Sequence, residues 1–551
     1  MLTRGRDYDE TRAQFRWRLP GRYNIGIDAV DQHADGGGRP ALILVGADGA
    51  PERYSFDDLK ARSDRLANAF AAHAEPGARV AILLPQSLEA ALAHIAAYKA
   101  GMVALPLFTL FGEEALEYRL TDSGAGILVT DRDNWPKVAA IRDRLPGFRL
   151  VLVTGTGVPP TGTEAFDTVL AKARPGFAPV ATGPDDPALL IYTSGTTGPP
   201  KGALHAHRVL LGHLPGVEFP HDFPPQPGDL FWTPADWAWI GGLLDVLLPA
   251  WHHGLPVLGH RMAKFDPDRA YALMAEHKVR NVFLPPTALK LLRQAGQRRH
   301  RGLRSIGSGG ETLGAELLDW GRATFGLTIH EFYGQTECNL VVGNNASQFP
   351  VRPGAMGRAI PGHEVAVVGD RGDRLAAGEI GQIAVRRRTP CGIDDPVMFL
   401  GYWNNPAATE AKFVAGAPGD GGDWLLTGDT GRRDDDGTLW FVGRDDDVIT
   451  SAGYRIGPAE IEDCLMKHPA VALAAAIGVP DPIRTEIVKA CIVLRTGESP
   501  NEALKQEIRG FVKTRLAAHE YPRLVEFVDA LPMTATGKII RKALRDAPAP
   551  G

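Results

Sequence analysis

Short apolar runs alternate with longer Ala- and Leu-rich stretches through the first half of the chain. Arg79 to Leu84, Gly126 to Thr130 and Leu150 to Thr154 carry Val, Ile and Leu with little polar interruption, the pattern of strands covered on both faces. Around them, Leu59 to Ala71 and Ser87 to Lys99 have the length and composition of helices. Strand and helix in alternation predict an α/β domain. Val279 to Leu284 and Leu303 to Ile306 continue the pattern, which puts Ser308-Gly309-Gly310-Glu311 where a strand opens into a loop. Ligands of open α/β sheets gather at such carboxyl ends.

The character changes after Gly354. Glu364 to Val368, Glu379 to Arg386 and Thr438 to Val442 read as brief strands between Gly, Asp and Pro turns, predicting a small β subdomain. From Arg444 onward, helices at Pro458 to Lys467 and Asn501 to Leu516 and strands at Ala474 to Gly478 and Lys489 to Leu494 predict a compact α+β unit. The expected organisation is therefore a large N-terminal domain over 1–443, of α/β subdomains plus the β subdomain, and a small α+β C-terminal domain over 444–551. Gly155 to Gly162 and Ala415 to Gly422 are Gly-rich surface connectors.

A length of 551 residues exceeds one ordinary core, in agreement with two domains. The net charge of −5 argues against a nucleic-acid binder, so any polyanion site must be local. Cys338, Cys391, Cys464 and Cys491 lack metal-site or disulfide-framework spacing and read as buried thiols. Cys338 adjoins a motif described below, but no base for a nucleophile is evident near it in the sequence. Met1 to Arg18 mixes Arg with Asp and Glu and has no apolar core, which fits neither a secretory signal nor a mitochondrial presequence. The apolar stretches at Gly241 to Trp251 and Val471 to Val479 are too short to span a bilayer. A cytoplasmic location is expected.

Residues 192 to 202 read Tyr-Thr-Ser-Gly-Thr-Thr-Gly-Pro-Pro-Lys-Gly. Glycines admit backbone N–H groups close to a polyphosphate, the hydroxyls add donors, and Lys201 adds a mobile positive charge. A Walker loop would follow its lysine with Ser or Thr to hold magnesium, whereas Gly202 follows Lys201. The loop is a different kind of ATP site.

This loop resembles the signature of the adenylate-forming superfamily. Further matches follow in the family's order: Gly310-Glu311-Thr312, Tyr333-Gly334-Gln335-Thr336-Glu337, Thr427-Gly428-Asp429, Gly443-Arg444-Asp445-Asp446-Asp447-Val448-Ile449, Gly453-Tyr454-Arg455-Ile456-Gly457, and Pro532-Met533-Thr534-Ala535-Thr536-Gly537-Lys538. The resemblance spans nearly the whole chain and is nearest to medium-chain and short branched-chain acyl-CoA synthetases, with acetyl-CoA synthetase related. It implies ATP, CoA and Mg2+ as cofactors and substrates, and a small carboxylic acid as the group activated. Thr193, Ser194, Gly195, Thr196, Thr197, Gly198 and Lys201 would hold the β and γ phosphates. Glu337 would bind magnesium, and Thr336 would touch the α-phosphate. Adenine would lie between the Gly310 to Thr312 turn and the strand through Glu331, Phe332, Tyr333, Gly334 and Gln335, with Tyr333 as a stacking surface. Asp429, assisted by Arg444, would receive the ribose hydroxyls.

By the same resemblance Lys538 is the catalytic lysine that bridges acid and α-phosphate, alongside Lys201, Thr336 and Glu337. Asp446 is the hinge about which the C-terminal domain rotates, and Gly453 leaves room for the pantetheine arm. Tyr454, Arg455 and Lys513 would meet CoA. Lys538 is also a candidate for acetylation, which names a lysine acetyltransferase and deacetylase as candidate partners; the oligomeric state stays open. Trp239, Ile240, Gly241, Leu284, Gly309 and Gly334 are the expected acyl walls. Acetate-specific relatives carry a tryptophan at the position of Gly334, so its absence is expected to admit a longer or branched monocarboxylic acid, each buried methylene contributing about 0.8 kcal/mol. An aryl acid, loading of a carrier protein in place of CoA, and a non-catalytic adenylate sensor are the remaining alternatives.

Overall fold

A computed structural model describes residues 1–46, 49–145, 147–193, 199–296, 298–389, 392–417, 422–444, 447–451, 454–481, 485–516, 521–534 and 539–546. Among them the predicted alternation becomes two large sheets. One runs, in order across the sheet, through strands 401–402, 201–206, 187–193, 103–106, 79–83, 127–131, 150–154 and 164–165. Its central pairs are parallel, while strand Lys201–Ala206 lies antiparallel to Pro187–Thr193 at one side. Strand Arg79–Leu83 shows why the run carried no polar alternation: Val80 and Ile82 enter one core, and Ala81 and Leu83 enter another on the opposite face.

The second sheet has a parallel centre through strands 40–45, 257–259, 231–232, 281–283, 305–309 and 330–335. A single core joins the facing sides of both sheets through helix Leu88–Lys99, which Ser87 caps by accepting the Ala90 N–H. That helix is apolar on all sides because it is covered on all sides. Its last residue, Lys99, is fully buried and is neutralised by Asp31 at 2.5 Å and Asp64 at 2.8 Å.

The predicted β subdomain proves to be continuous with the second sheet. Strand Ala355–Ala359 pairs on one side with Asn339–Gly343 and on the other with Leu439–Arg444, so strands 365–368, 380–386 and 424–433 extend the α/β sheet edge to edge. The smaller C-terminal domain is a five-stranded sheet packed by helices Pro458–Met466 and Glu502–Lys513. Its two longest strands, Val471–Asp481 and Thr485–Leu494, run well beyond the apolar segments that announced them, because antiparallel pairing continues through polar residues. No helix among the described residues is long and apolar enough to cross a membrane.

Candidate active site

The phosphate-type loop joins two antiparallel strands whose last described pair is Thr193 opposite Lys201, with the Thr193 hydroxyl donating to the Lys201 carbonyl at 3.4 Å. Ser194, Gly195, Thr196, Thr197 and Gly198 lie outside the described residues. Lys201 is described, and its ammonium stands 5.4 Å from the centre of the Tyr402 ring. The Tyr402 hydroxyl in turn donates to the Glu337 carboxylate, which is buried. Burial and the adjacent Glu337 charge hold the Tyr402 phenol above its usual range.

A second cluster forms on the neighbouring strands. Asp429 is buried and accepts the Tyr333 hydroxyl at 2.5 Å and the Gln335 amide at 2.8 Å, while Arg444 faces it across the strand pair at 4.0 Å. Tyr333 was expected only as a stacking surface; its hydroxyl also orients Asp429. Half-buried Thr336 continues the same segment toward Glu337. Earlier in the same strand, buried Glu331 accepts the Leu313 N–H at 2.9 Å, which ties the Gly310-Glu311-Thr312 turn to the strand. Gly310 holds φ +103°, where glycine is favoured. Burial pushes the Glu331 carboxyl up to about 8. Glu311 is occupied by Lys290 at 3.0 Å.

The acyl side differs from expectation in three places. Trp239, Gly309, Gly310 and Glu311 border one cleft, so the acyl and nucleotide turns meet. Leu284, however, is sealed in the core on the far side of the sheet, and its neighbour Phe283 stands beside Trp239 with ring centroids 5.6 Å apart. Successive strand residues face opposite ways, so Phe283 and not Leu284 shares a face with Trp239. Phe332 carries the row onward, 5.4 Å from Phe283, with its buried ring against Gly309, where a Cβ would fall 2.5 Å from it. Its side chain packs on the Phe283 side of the strand. Third, a Cβ on Gly334 would fall 1.5 Å from the Asn339 carbonyl oxygen at a β-bulge. The backbone itself demands this glycine, and an indole here needs the bulge to move. Half-buried Ile240 and buried Gly241 follow Trp239; a Cβ on Gly241 would lie 2.8 Å from the Trp239 ring. Trp237, by contrast, is fully buried core.

Among the described residues no cluster of three or more His, Cys, Asp or Glu could cage a metal by itself. A lone buried carboxylate with one oxygen engaged by Tyr402 suits magnesium, which binds through one or two protein carboxylates together with substrate phosphates and water. Cys338 is buried, and burial pushes its thiol up to about 12, so it packs and does not react. Lys513 is exposed at the end of its helix beside Tyr521. Tyr454 and Arg455 lie in a strand paired with Ser451 and Thr450. Asp446, Gly453 and Lys538 lie outside the described residues. The segments next to Asp446 and Lys538 are described: Arg541 bonds to Glu462 at 2.8 Å and to Asp447 at 3.3 Å.

Lys201 and Glu337 beside Tyr402, the Asp429 carboxylate held by Tyr333 and Gln335, and the cleft between Trp239 and the Gly309 to Glu311 turn thus sit on neighbouring strands and the turns that leave them. Residues 30–403 match the family model for AMP-binding enzymes, and residues 460–538 match the model for the AMP-binding enzyme C-terminal domain. The chain belongs to this adenylate-forming family. Within it, the chain is 35% identical to acetyl-coenzyme A synthetase of Bacillus subtilis (strain 168), covering 98% of this chain and 95% of that one. It is likewise 35% identical to a mitochondrial acyl-coenzyme A synthetase of Rattus norvegicus, over 96% of this chain and 91% of the other. Among solved structures, the anthranilate CoA ligase AuaEII in complex with anthranoyl-AMP is similar with a TM-score of 0.85 and 28% identity, covering 96% and 97% of the two chains.

Proposed function

We propose that this chain is an AMP-forming acyl-CoA synthetase acting on a monocarboxylic acid of medium chain length or short and branched. Carboxylate and ATP give acyl-adenylate and pyrophosphate; CoA thiolate then displaces AMP. The observation that carries the reading is that Trp239, the first acyl-wall candidate, borders the same small cleft as the Gly309 to Glu311 turn, the nucleotide-wall candidate. Asp429 accepts the ribose hydroxyls, Lys201 and the loop before it hold the outer phosphates, and Thr336 touches the α-phosphate. Glu337 would hold magnesium, which would supply charge neutralisation on the triphosphate. Lys538 steadies the negative charge that gathers between acid and α-phosphate.

In this reading residues 444–551 form a unit that turns about Asp446 between the two half-reactions, withdrawing Lys538 and bringing Gly453, Tyr454, Arg455 and Lys513 to the thiol substrate. Acetylation of Lys538 would silence the first half-reaction by removing its charge. The enzyme works in the cytoplasm. An aryl acid is a second reading, favoured by the row of Trp239, Phe283 and Phe332 rings, each tilted 39° to the next. CoA-dependent AMP release, screened across straight, branched and aromatic acids, tests the reaction and the class of acid. Release with aliphatic acids supports the first reading, release confined to aromatic acids the second, and no release with any acid refutes both.

A further inference from the structure

Lys201 and Glu337 are opposite charges close to one tyrosine, yet they do not pair with each other. Among the described residues Lys201 has no carboxylate partner, and the only side chain that donates to Glu337 is Tyr402. Tyr402 stands between them, offering its ring face to the ammonium and its hydroxyl to one carboxylate oxygen. A direct ion pair would neutralise both groups and compete with the substrate for each. A phenol engages them without neutralising either: the ring attracts the cation through its quadrupole, and the single O–H leaves the second carboxylate oxygen free to ligate.

The surroundings hold this tyrosine rigidly. Its backbone N–H donates to the Thr409 hydroxyl at 2.8 Å, and Gly401 and Tyr402 pair with Leu204 and Ala203 on the strand that begins at Lys201. On the other side, the Phe399 N–H donates to the Glu337 carbonyl at 3.0 Å, and the Phe399 ring meets the Tyr402 ring edge-on at 5.1 Å. Arg208 fixes the approach to this segment by donating to the Asp395, Pro396 and Met398 carbonyls at 3.0, 3.0 and 3.3 Å. One short segment is therefore stitched both to the strand of Lys201 and to the backbone of Glu337.

The geometry points to Tyr402 as a positioning residue that keeps Lys201 and Glu337 apart and aims the carboxylate at the divalent cation of the nucleotide. The inference rests on the adenylating function proposed above, and its test separates the two. Manganese binding in the presence of ATP is followed by water-proton relaxation in the full-length wild-type protein, Tyr402→Phe and Tyr402→Leu. Acid-dependent pyrophosphate exchange is measured against free magnesium in parallel. Tyr402→Phe keeps the ring and loses the donor; it is expected to weaken manganese binding about 10- to 100-fold, the range for groups that orient a metal ligand. Half-saturating magnesium should rise by the same factor, saturating magnesium should restore turnover, and the KM for the acid should not move. Tyr402→Leu, which also removes the platform under Lys201, should raise the KM for ATP in addition.

Wild-type manganese affinity in Tyr402→Phe overturns the proposal. An equal loss in both half-reactions with unchanged metal affinity also overturns it, because that marks a packing role only. Should the wild-type protein exchange no pyrophosphate with any acid, the adenylating function falls while the manganese titration still decides the role of Tyr402. Failure of the wild-type protein to bind manganese with ATP overturns both.

Discussion

Replacing Phe283 by Ala is the perturbation that most sharply tests the placement of the acyl chamber. The ring is almost fully buried and lies between Trp239 and Phe332, 5.6 and 5.4 Å away. Truncating such a side chain costs about 3–5 kcal/mol of stability, part of it from the two lost ring contacts. A stability loss alone would lower the rate for every acid equally. If the vacated volume opens into the chamber beside Trp239, longer acids gain selectively: each further methylene that it covers contributes about 0.8 kcal/mol, close to fourfold in kcat/KM. Two or three extra methylenes would shift the long-to-short ratio by roughly 15- to 60-fold. The assay is CoA-dependent AMP release over a series of straight-chain acids, read as ratios so that the folded fraction cancels. A uniformly reduced profile with unchanged length preference would show that Phe283 is core and that the chamber lies elsewhere. Leu284→Ala, on the opposite face, supplies the control: lower stability with an unaltered profile.

Asp429→Asn keeps the shape that receives Tyr333 and Gln335 but loses the charge, and hydrogen bonds to a charged acceptor are worth about 1.5–3 kcal/mol. ATP affinity, measured by calorimetry, should therefore fall about 10- to 100-fold; unchanged affinity would remove Asp429 from the nucleotide site. Glu331 makes stability depend on pH. Its carboxyl is raised to about 8 by burial, so from the usual carboxyl range up to about 8 the folded chain keeps a proton that the unfolded chain has released. Stability contributed by this group is complete at low pH and declines as pH rises through that window, by about 1.4 kcal/mol per unit at most. Glu331→Gln should flatten the unfolding profile between about pH 5 and 8, and a variant with the wild-type slope would contradict the assignment.

The sequence carried the order of strands and helices well because the strands are short and apolar and the helices long. Arg79 to Leu84 and Leu150 to Thr154 needed no tertiary information, since their whole surface is covered. The family motifs likewise brought Asp429, Tyr333, Thr336 and Glu337 to notice from widely separated positions. What escaped notice depends on register or distance. Phe283 and Leu284 are equally apolar neighbours, and only the facing of the strand tells which of the two buried cores each one enters. Gly334 looks like a missing side chain but is dictated by the Asn339 carbonyl, contact with which is set by a bulge that no local pattern announces. Tyr402, in an unremarkable Gly-Tyr-Trp-Asn-Asn-Pro turn, acquires its importance only when the edge strand sets it between Lys201 and Glu337. The union of the predicted β subdomain with the main sheet was also out of reach, because it depends on the pairing of Ala355–Ala359 with partners on both sides.

Single-turnover formation of acyl-adenylate by Lys538→Ala bears most directly on the proposal that one cleft serves two reactions. Loss of a positive charge at the reacting centre is expected to slow this step by about 100- to 1,000-fold. Transfer from supplied acyl-adenylate to CoA should continue near the wild-type rate. Adenylate appearing at wild-type speed in the variant would contradict the account.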